Sequence, residues 1–181
     1  MYFYEAAAIR PEHVLLENVR RGGFEVLRDA ISRDPSRRPD IGGPELHPTA
    51  GAVIVGARKL LIAWNVNLAT TDLSVAKTIA REIRASSGGF PHLKALGLLL
   101  QTRGQVQVSM NLTDFDVTPM HVVFEAIRQR ADAMGVEIAG TEIIGLIPRA
   151  AIERAAEAWF RFENFSPEIV LEQRVHTALK R

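Results

Sequence analysis

The sequence predicts an α/β (α+β) protein. Its main part is a ferredoxin-like βαββαβ sheet with helices on one face, followed by two C-terminal helices and preceded by an incomplete N-terminal strand–helix remnant. Three observations predict this. From residue 60 to 147 the apolar residues recur in the order strand, helix, strand, strand, helix, strand. Ser86-Ser87-Gly88-Gly89, Gly104, Gly135 and Pro148 stop these elements where the periodicity changes. Two of the strands, Leu60–Leu68 and Gln105–Leu112, alternate apolar residues with amides and a hydroxyl, so each has one apolar and one uncharged polar face.

Taken in order, Met1–Tyr4 reads as a short strand and Pro11 as the first turn of a helix. Val14, Leu15, Val19, Phe24, Leu27 and Ile31 make a helical stripe broken at Gly22-Gly23. One strand and one broken helix cannot bury their own apolar faces, so this segment reads as the tail of something larger. Asp34–Gly51 is rich in proline and glycine and reads as a long loop or linker. Ala52–Ala57 is a strand, joined through Arg58-Lys59 to the strand Leu60–Leu68. In that strand Trp64, Val66 and Leu68 point one way and Ala63, Asn65 and Asn67 the other. A helix follows from about Asp72 to Ser86, with Thr71 or Asp72 as its N-cap. Leu93–Gln101 and Gln105–Leu112 form a hairpin across Thr102-Arg103-Gly104. The next helix is Pro119–Met134, capped by Thr118, and the fourth strand is Val136–Ile147. Ile152, Ala155, Ala156, Trp159 and Phe160 stripe one C-terminal helix, and Leu171, Val175 and Leu179 the other.

The usual strand order of a βαββαβ unit, 4-1-3-2, places the two amide-bearing strands side by side at the centre. Helices then cover Trp64, Val66, Val108 and Met110, and Asn65, Asn67, Gln107, Ser109 and Asn111 cluster on the opposite face. Amides are poor strand formers, so this face suits a surface that hydrogen-bonds a ligand or another protein layer. The composition narrows the classes. A net charge of +1 argues against a dedicated nucleic-acid or membrane-surface role. The absence of cysteine excludes disulfides and thiolate metal sites and fits a cytoplasmic setting. No apolar run approaches the roughly 18 residues of a membrane span, and the N-terminus lacks the features of a signal peptide. No nucleophile elbow, phosphate loop or metal-ligand spacing stands out.

Several linked segments resemble one family. Pro39-Asp40-Ile41-Gly42, His47-Pro48-Thr49-Ala50-Gly51-Ala52, the run Gly56–Leu68, Val108-Ser109-Met110-Asn111-Leu112-Thr113-Asp114-Phe115, Gly140–Pro148 and Glu172-Gln173-Arg174 are similar to glutamate formimidoyltransferase, the folate-dependent enzyme of histidine breakdown. The resemblance runs through nearly the whole chain. It implies two α/β subdomains with folate held between their sheets. Residues 1–59 would be a remnant of the N-terminal subdomain, and residues 60–181 the C-terminal subdomain. It implies tetrahydrofolate as co-substrate, N-formimino-L-glutamate as substrate and the missing N-terminal subdomain as partner; the uncovered apolar faces of the N-terminal strand and helix favour a homo-oligomer or partial disorder.

The resemblance also proposes site residues. The loop Gly42, Gly43, Pro44, Glu45, Leu46, His47, Pro48, Thr49, Ala50 and Gly51 matches the family's folate-binding loop; the plainer reading is a linker between subdomains. Arg58 could meet a carboxylate of folate or substrate, or sit in a solvated turn. Asn65, Asn67, Ser109 and Asn111 would face the ligand tunnel or the other sheet. Asp114 could orient a ligand amine or cap a turn, and His121 reads as structural. The family's acid–base histidine belongs to an upstream segment, and none of His13, His47, His92, His121 and His176 matches it, so no catalytic residue is expected in this chain. The alternative is a non-catalytic module that binds a folate-like ligand or a protein.

Overall fold

The computed structural model describes residues 1–180. The chain divides into two compact units, the first spanning Met1–Lys59 and the second starting at Leu60.

In the first unit, β1 (Tyr2–Glu5) pairs in parallel with β2 (Ile54–Ala57), with Tyr2 opposite Ile54 and Glu5 opposite Ala57. Between them lie two short helices, α1 (Leu16–Val19) and α2 (Gly23–Ala30). The expected stripe holds in part: it breaks at Gly22 and Gly23, whose φ values of 78° and 71° suit glycine, and Val19, Leu27 and Ile31 are buried, whereas Val14, Leu15 and Phe24 are exposed and Val14 and Leu15 lie outside the helices. The buried apolar core is small: Tyr2, Val19, Leu27 and Ile31, with Tyr4, Leu46 and Ala52 packed against it. Phe24, Val26, Ile54 and Val55 stay substantially exposed.

The second unit is the ferredoxin-like layer. Its strands are β3 (Ile62–Leu68), β4 (Leu93–Leu100), β5 (Gln105–Leu112) and β6 (Ile138–Ile144). They lie in the order β4-β5-β3-β6, all neighbours antiparallel. In terms of this unit's own strands, that is the 4-1-3-2 order, with the two amide-bearing strands central. The helices α3 (Leu73–Ile83) and α4 (Met120–Ala133) bury one face. Ile62, Val66, Leu68, Ile79, Ile83, Leu93, Val106, Val108, Leu112, Val123 and Ile127 are fully buried there. Each such side chain contributes about 1.5–3 kcal/mol over its exposed state. The helix α3 presses so closely on β4 that a Cβ at Gly97 would collide with the backbone of Ala76 and Lys77.

The local signals hold in part. Asp72 caps α3, accepting from the Ser74 amide at 2.8 Å. Thr118 does not cap α4: its hydroxyl donates to the Pro91 carbonyl at 2.6 Å, and Pro119 takes the cap position without a side-chain bond. The fourth strand is shorter than the periodicity suggests, with a register shift opposite Asn67 and Leu68. In α5 (Arg149–Phe160) and α6 (Leu171–Leu179) the expected buried stripes are largely exposed: Trp159 is 70% and Leu171 71% accessible. Among the described residues no helix is long and apolar enough to cross a membrane.

Candidate functional site

Sheet register brings the polar residues of the second unit together. Asn65 on β3 lies opposite Ser109 on β5 and Glu142 on β6; Asn67 lies opposite Gln107 and Gly140; Ala63 lies opposite Asn111 and Ile144. On the outer strand β4, Leu96 is opposite Ser109 and Leu98 opposite Gln107. Because period two fixes the face, all these residues share the side away from α3 and α4. The face therefore has an amide-rich centre between apolar flanks, with Leu96, Leu98 and Ile144 exposed.

The centre is organised by hydrogen bonds. Gln107 Nε2 donates to Asn67 Oδ1 and to Glu142 Oε1, both at 2.8 Å. Arg103 Nη1 stands 3.6 Å from the same Glu142 oxygen, an exposed pairing that water screens. Exposure is graded across the patch. Gln107, Asn67 and Asn65 are 5–9% accessible, Ser109 is intermediate and Asn111 is exposed. Asn65, Asn67, Ser109 and Asn111 do converge as the sequence suggests, but Asn67 is committed to an internal bond. Gln107 and Glu142 emerge as its organisers. The alternation of β5 already puts Gln107 on this face; Glu142 needs the β6 register. Flat amide edges, one carboxylate and bordering leucines can hydrogen-bond the rim of a planar heteroaromatic ring while apolar groups cover its surface.

The Gly42–Gly51 loop and Arg58 belong to the first unit. Local hydrogen bonds shape the loop. His47 and Gly51 exchange two backbone bonds of 3.1 and 3.0 Å. His47 Nδ1 accepts the amides of Thr49 at 3.3 Å and Ala50 at 3.0 Å, so this ring nitrogen caps the loop. Gly51 has φ 65°, and a Cβ there would come 2.9 Å from the Phe24 ring. Gly42 has φ 106°, whereas Gly43 has an ordinary backbone and open space around it. Gly42, Gly43, Glu45, Leu46, His47 and Ala50 are among the residues bordering a cavity of about 320 Å³. Arg58 is exposed.

Two other candidates lie elsewhere in the second unit. Asp114 accepts from the Asp116 amide at 3.1 Å in a turn, and its carbonyl accepts the Thr118 amide. His121 borders an apolar cavity of about 370 Å³ with Trp64, Phe124, Ile143, Trp159 and Phe160. Burial and the nearby Arg154 charge push its pKa below the ordinary histidine value. Among the described residues no group of three or more His, Cys, Asp or Glu is placed to hold a metal ion.

The sequence matches the model of the formiminotransferase domain over residues 63–181 and that of the formiminotransferase domain's N-terminal subdomain over residues 1–58. The chain belongs to the formiminotransferase family. Among the members it resembles, the glutamate formimidoyltransferase of Streptococcus pyogenes serotype M1 is 41% identical over 165 residues, 91% of this chain and 55% of that protein. The glutamate formimidoyltransferase of Thermoplasma acidophilum is 38% identical over 180 residues, 98% of this chain and 59% of that protein. The formimidoyltransferase-cyclodeaminase of Gallus gallus is 34% identical over 170 residues, 91% of this chain and 31% of that protein. This formiminotransferase chain thus spans a little over half the length of the first two relatives.

Proposed function

We propose that this chain is part of a glutamate formimidoyltransferase and supplies its folate grip. Its two units would be the end of the N-terminal subdomain and the C-terminal subdomain. The observation that carries the reading is the Asn67–Gln107–Glu142 cluster on the open sheet face of a formiminotransferase chain. Tetrahydrofolate fits this face on chemical grounds. The carboxylate and amides can take the donors and acceptors along a pterin edge, and Leu96 and Leu98 can cover its plane. Separately, within the first unit, the Gly42–Gly51 loop offers backbone donors and Arg58 a cation suited to folate's carboxylates.

In the whole enzyme a folate nitrogen would attack the formimino carbon of N-formimino-L-glutamate. A new C–N bond to folate forms, the bond to the glutamate nitrogen breaks, the folate nitrogen loses a proton and the departing amine gains one. A general acid–base group must carry that proton. Of the five histidines, none lies on the polar sheet face: His121 and His176 are helical, His92 precedes β4, and His13 and His47 belong to the first unit. As the family resemblance implies, this chain would hold folate and another polypeptide segment would supply the acid–base histidine.

The first test is calorimetric titration of the purified chain with 5-formyltetrahydrofolate. Saturable one-site binding, weakened about tenfold or more by Asn65→Leu with Asn111→Leu, is the expected outcome. A complete enzyme carrying this sequence that keeps full activity with Asn65, Asn67 and Asn111 all changed to leucine would remove the sheet face from the site. The missing histidine on that face also favours a second reading, a non-catalytic folate-binding module. It predicts binding without formimino transfer when the upstream half is added.

A further inference from the structure

A polar anchor fixes the chain just before the Gly42–Gly51 loop. In β1 the Tyr2 amide donates to Val53 at 2.9 Å, toward β2. The alternate positions face the other edge of β1, and Arg38–Ile41 runs there. The amides of Asp40 and Ile41 donate to the Met1 carbonyl at 3.0 and 3.2 Å. The Phe3 amide donates to Asp40 Oδ2 at 2.7 Å, so the carboxylate stands where a strand would offer a carbonyl. The Asp40 side chain has 0% exposure. His13 Nδ1 lies 3.1 and 3.0 Å from its two oxygens, and Arg10 Nε lies 3.4 Å from Oδ1. The other Arg10 nitrogens donate to the carbonyls of Arg38 at 3.2 Å and Pro39 at 3.4 Å, so one guanidinium spans three consecutive residues. Burial pushes the Asp40 carboxyl up, but the Phe3 and His13 bonds and the His13 and Arg10 charges outweigh it and hold it below the ordinary carboxylate value.

We infer that Asp40 is the positioning residue of the Gly42–Gly51 loop. Through Phe3, His13 and Arg10 it fixes the point and direction at which the Arg38–Ile41 segment leaves the edge of β1. Beyond it the loop closes on its own His47–Gly51 bridge and packs Leu46 against the core of the unit. A buried carboxylate with three different donors tolerates few alternative geometries, which is what a loop start needs. The inference rests on the proposed function only for what the loop holds, not for how it is held.

Hydrogen–deuterium exchange on the full chain tests it. In Asp40→Asn the amides of His47, Ala50 and Gly51 are expected to exchange roughly tenfold faster or more, while Ile31 at the end of α2 and Val66 in β3 keep their rates. Arg10→Met, which leaves the carboxylate with two donors, should accelerate the same amides by a smaller factor. Native loop rates in both variants would overturn the inference. So would equal acceleration of the loop and Ile31, which would make Asp40 a general support of the unit. If Asp40→Asn unfolds the first unit outright, Arg10→Met decides between the same two results. Titration of the same samples with 5-formyltetrahydrofolate separates the two readings. A faster-exchanging loop with unchanged affinity keeps the positioning role and takes the loop out of the folate site. Failure of the native chain to bind folate leaves the exchange result to decide alone.

Discussion

Each unit is held together internally by a different force. The second is an apolar construction: eleven of its large apolar side chains are fully buried between one sheet and its helices. The first has four buried apolar residues, a two-stranded sheet and a buried carboxylate with its donors. A two-stranded sheet has little face to bury, and parallel pairs are normally covered on both sides. The order of its irregular half comes from directed polar bonds instead: Asp40 to Phe3, His13 and Arg10; Tyr2 hydroxyl to the Arg37 carbonyl at 2.7 Å; Arg37 to the carbonyls of Asn18 and Arg21 at 2.9 and 2.8 Å. Apolar packing shapes the second unit, and directed polar bonds shape the first.

The comparison can be broken with probes the sequence provides. Both tryptophans, Trp64 and Trp159, are in the second unit and both tyrosines, Tyr2 and Tyr4, in the first. Tryptophan emission and tyrosine absorbance therefore report different units. The largest effect is expected from Ile79→Ala, at a fully buried position, which should cost about 2–5 kcal/mol in urea denaturation followed by Trp64. Leu27→Ala in the first unit, followed by the tyrosines, should cost less because its core is small. Equal costs would mean that the first unit is as dependent on apolar packing as the second.

Next comes the polar network. Gln107→Leu leaves Asn67 Oδ1 and Glu142 Oε1 without their shared donor, on a residue 5% exposed. A loss of about 1–3 kcal/mol is expected by the same denaturation. If the variant is as stable as the native chain, the network is neutral for folding. In that case any loss of folate affinity reports the ligand contact alone.

Acidification sharpens the contrast between units. The folded pKa of Asp40 lies below its unfolded value, so its contribution is complete above the unfolded value and is lost as pH falls through the folded one. The groups facing it are His13, Arg10 and the Tyr2 ring. Tyrosine signals should therefore change below the ordinary carboxylate range while Trp64 emission holds, and Asp40→Asn should abolish that acid step. A coincident change of both chromophores would show that exposed carboxylates such as Asp72 and Glu125, also depressed, set the acid limit instead.

How much of this is legible in the sequence follows from the physics of each signal. Strand alternation fixes which face a side chain takes, so alternation alone places Asn65, Asn67, Ser109 and Asn111 together. It says nothing of which amide bonds which partner; that Gln107 reaches both Asn67 and Glu142 depends on register across three strands. Helical periodicity shows which residues share a stripe but not whether anything covers it, and Trp159, Phe160 and Leu171 are striped yet exposed. Asp72 is readable as a cap because the bond is local, two residues long. Thr118 misleads because its acceptor, Pro91, is 27 residues away. The Asp40 cage is invisible to periodicity for the same reason, since its partners come from residues 3, 10 and 13.

The smallest expected effect tests the boundary between scaffold and site. His47 is a ligand candidate by position, yet its Nδ1 is already engaged by two amides of its own loop. His47→Ala should cost the first unit less than about 1 kcal/mol, because an exposed cap is worth little once water can replace it. The same change should speed exchange of the Thr49 and Ala50 amides, and leave Phe3 beside Asp40 unchanged. If folate affinity falls while Gly51 stays protected, Nε2 is a ligand contact and the histidine serves both roles. If affinity falls only as far as the loop loosens, His47 acts through loop shape, and recognition by the loop lies in its backbone.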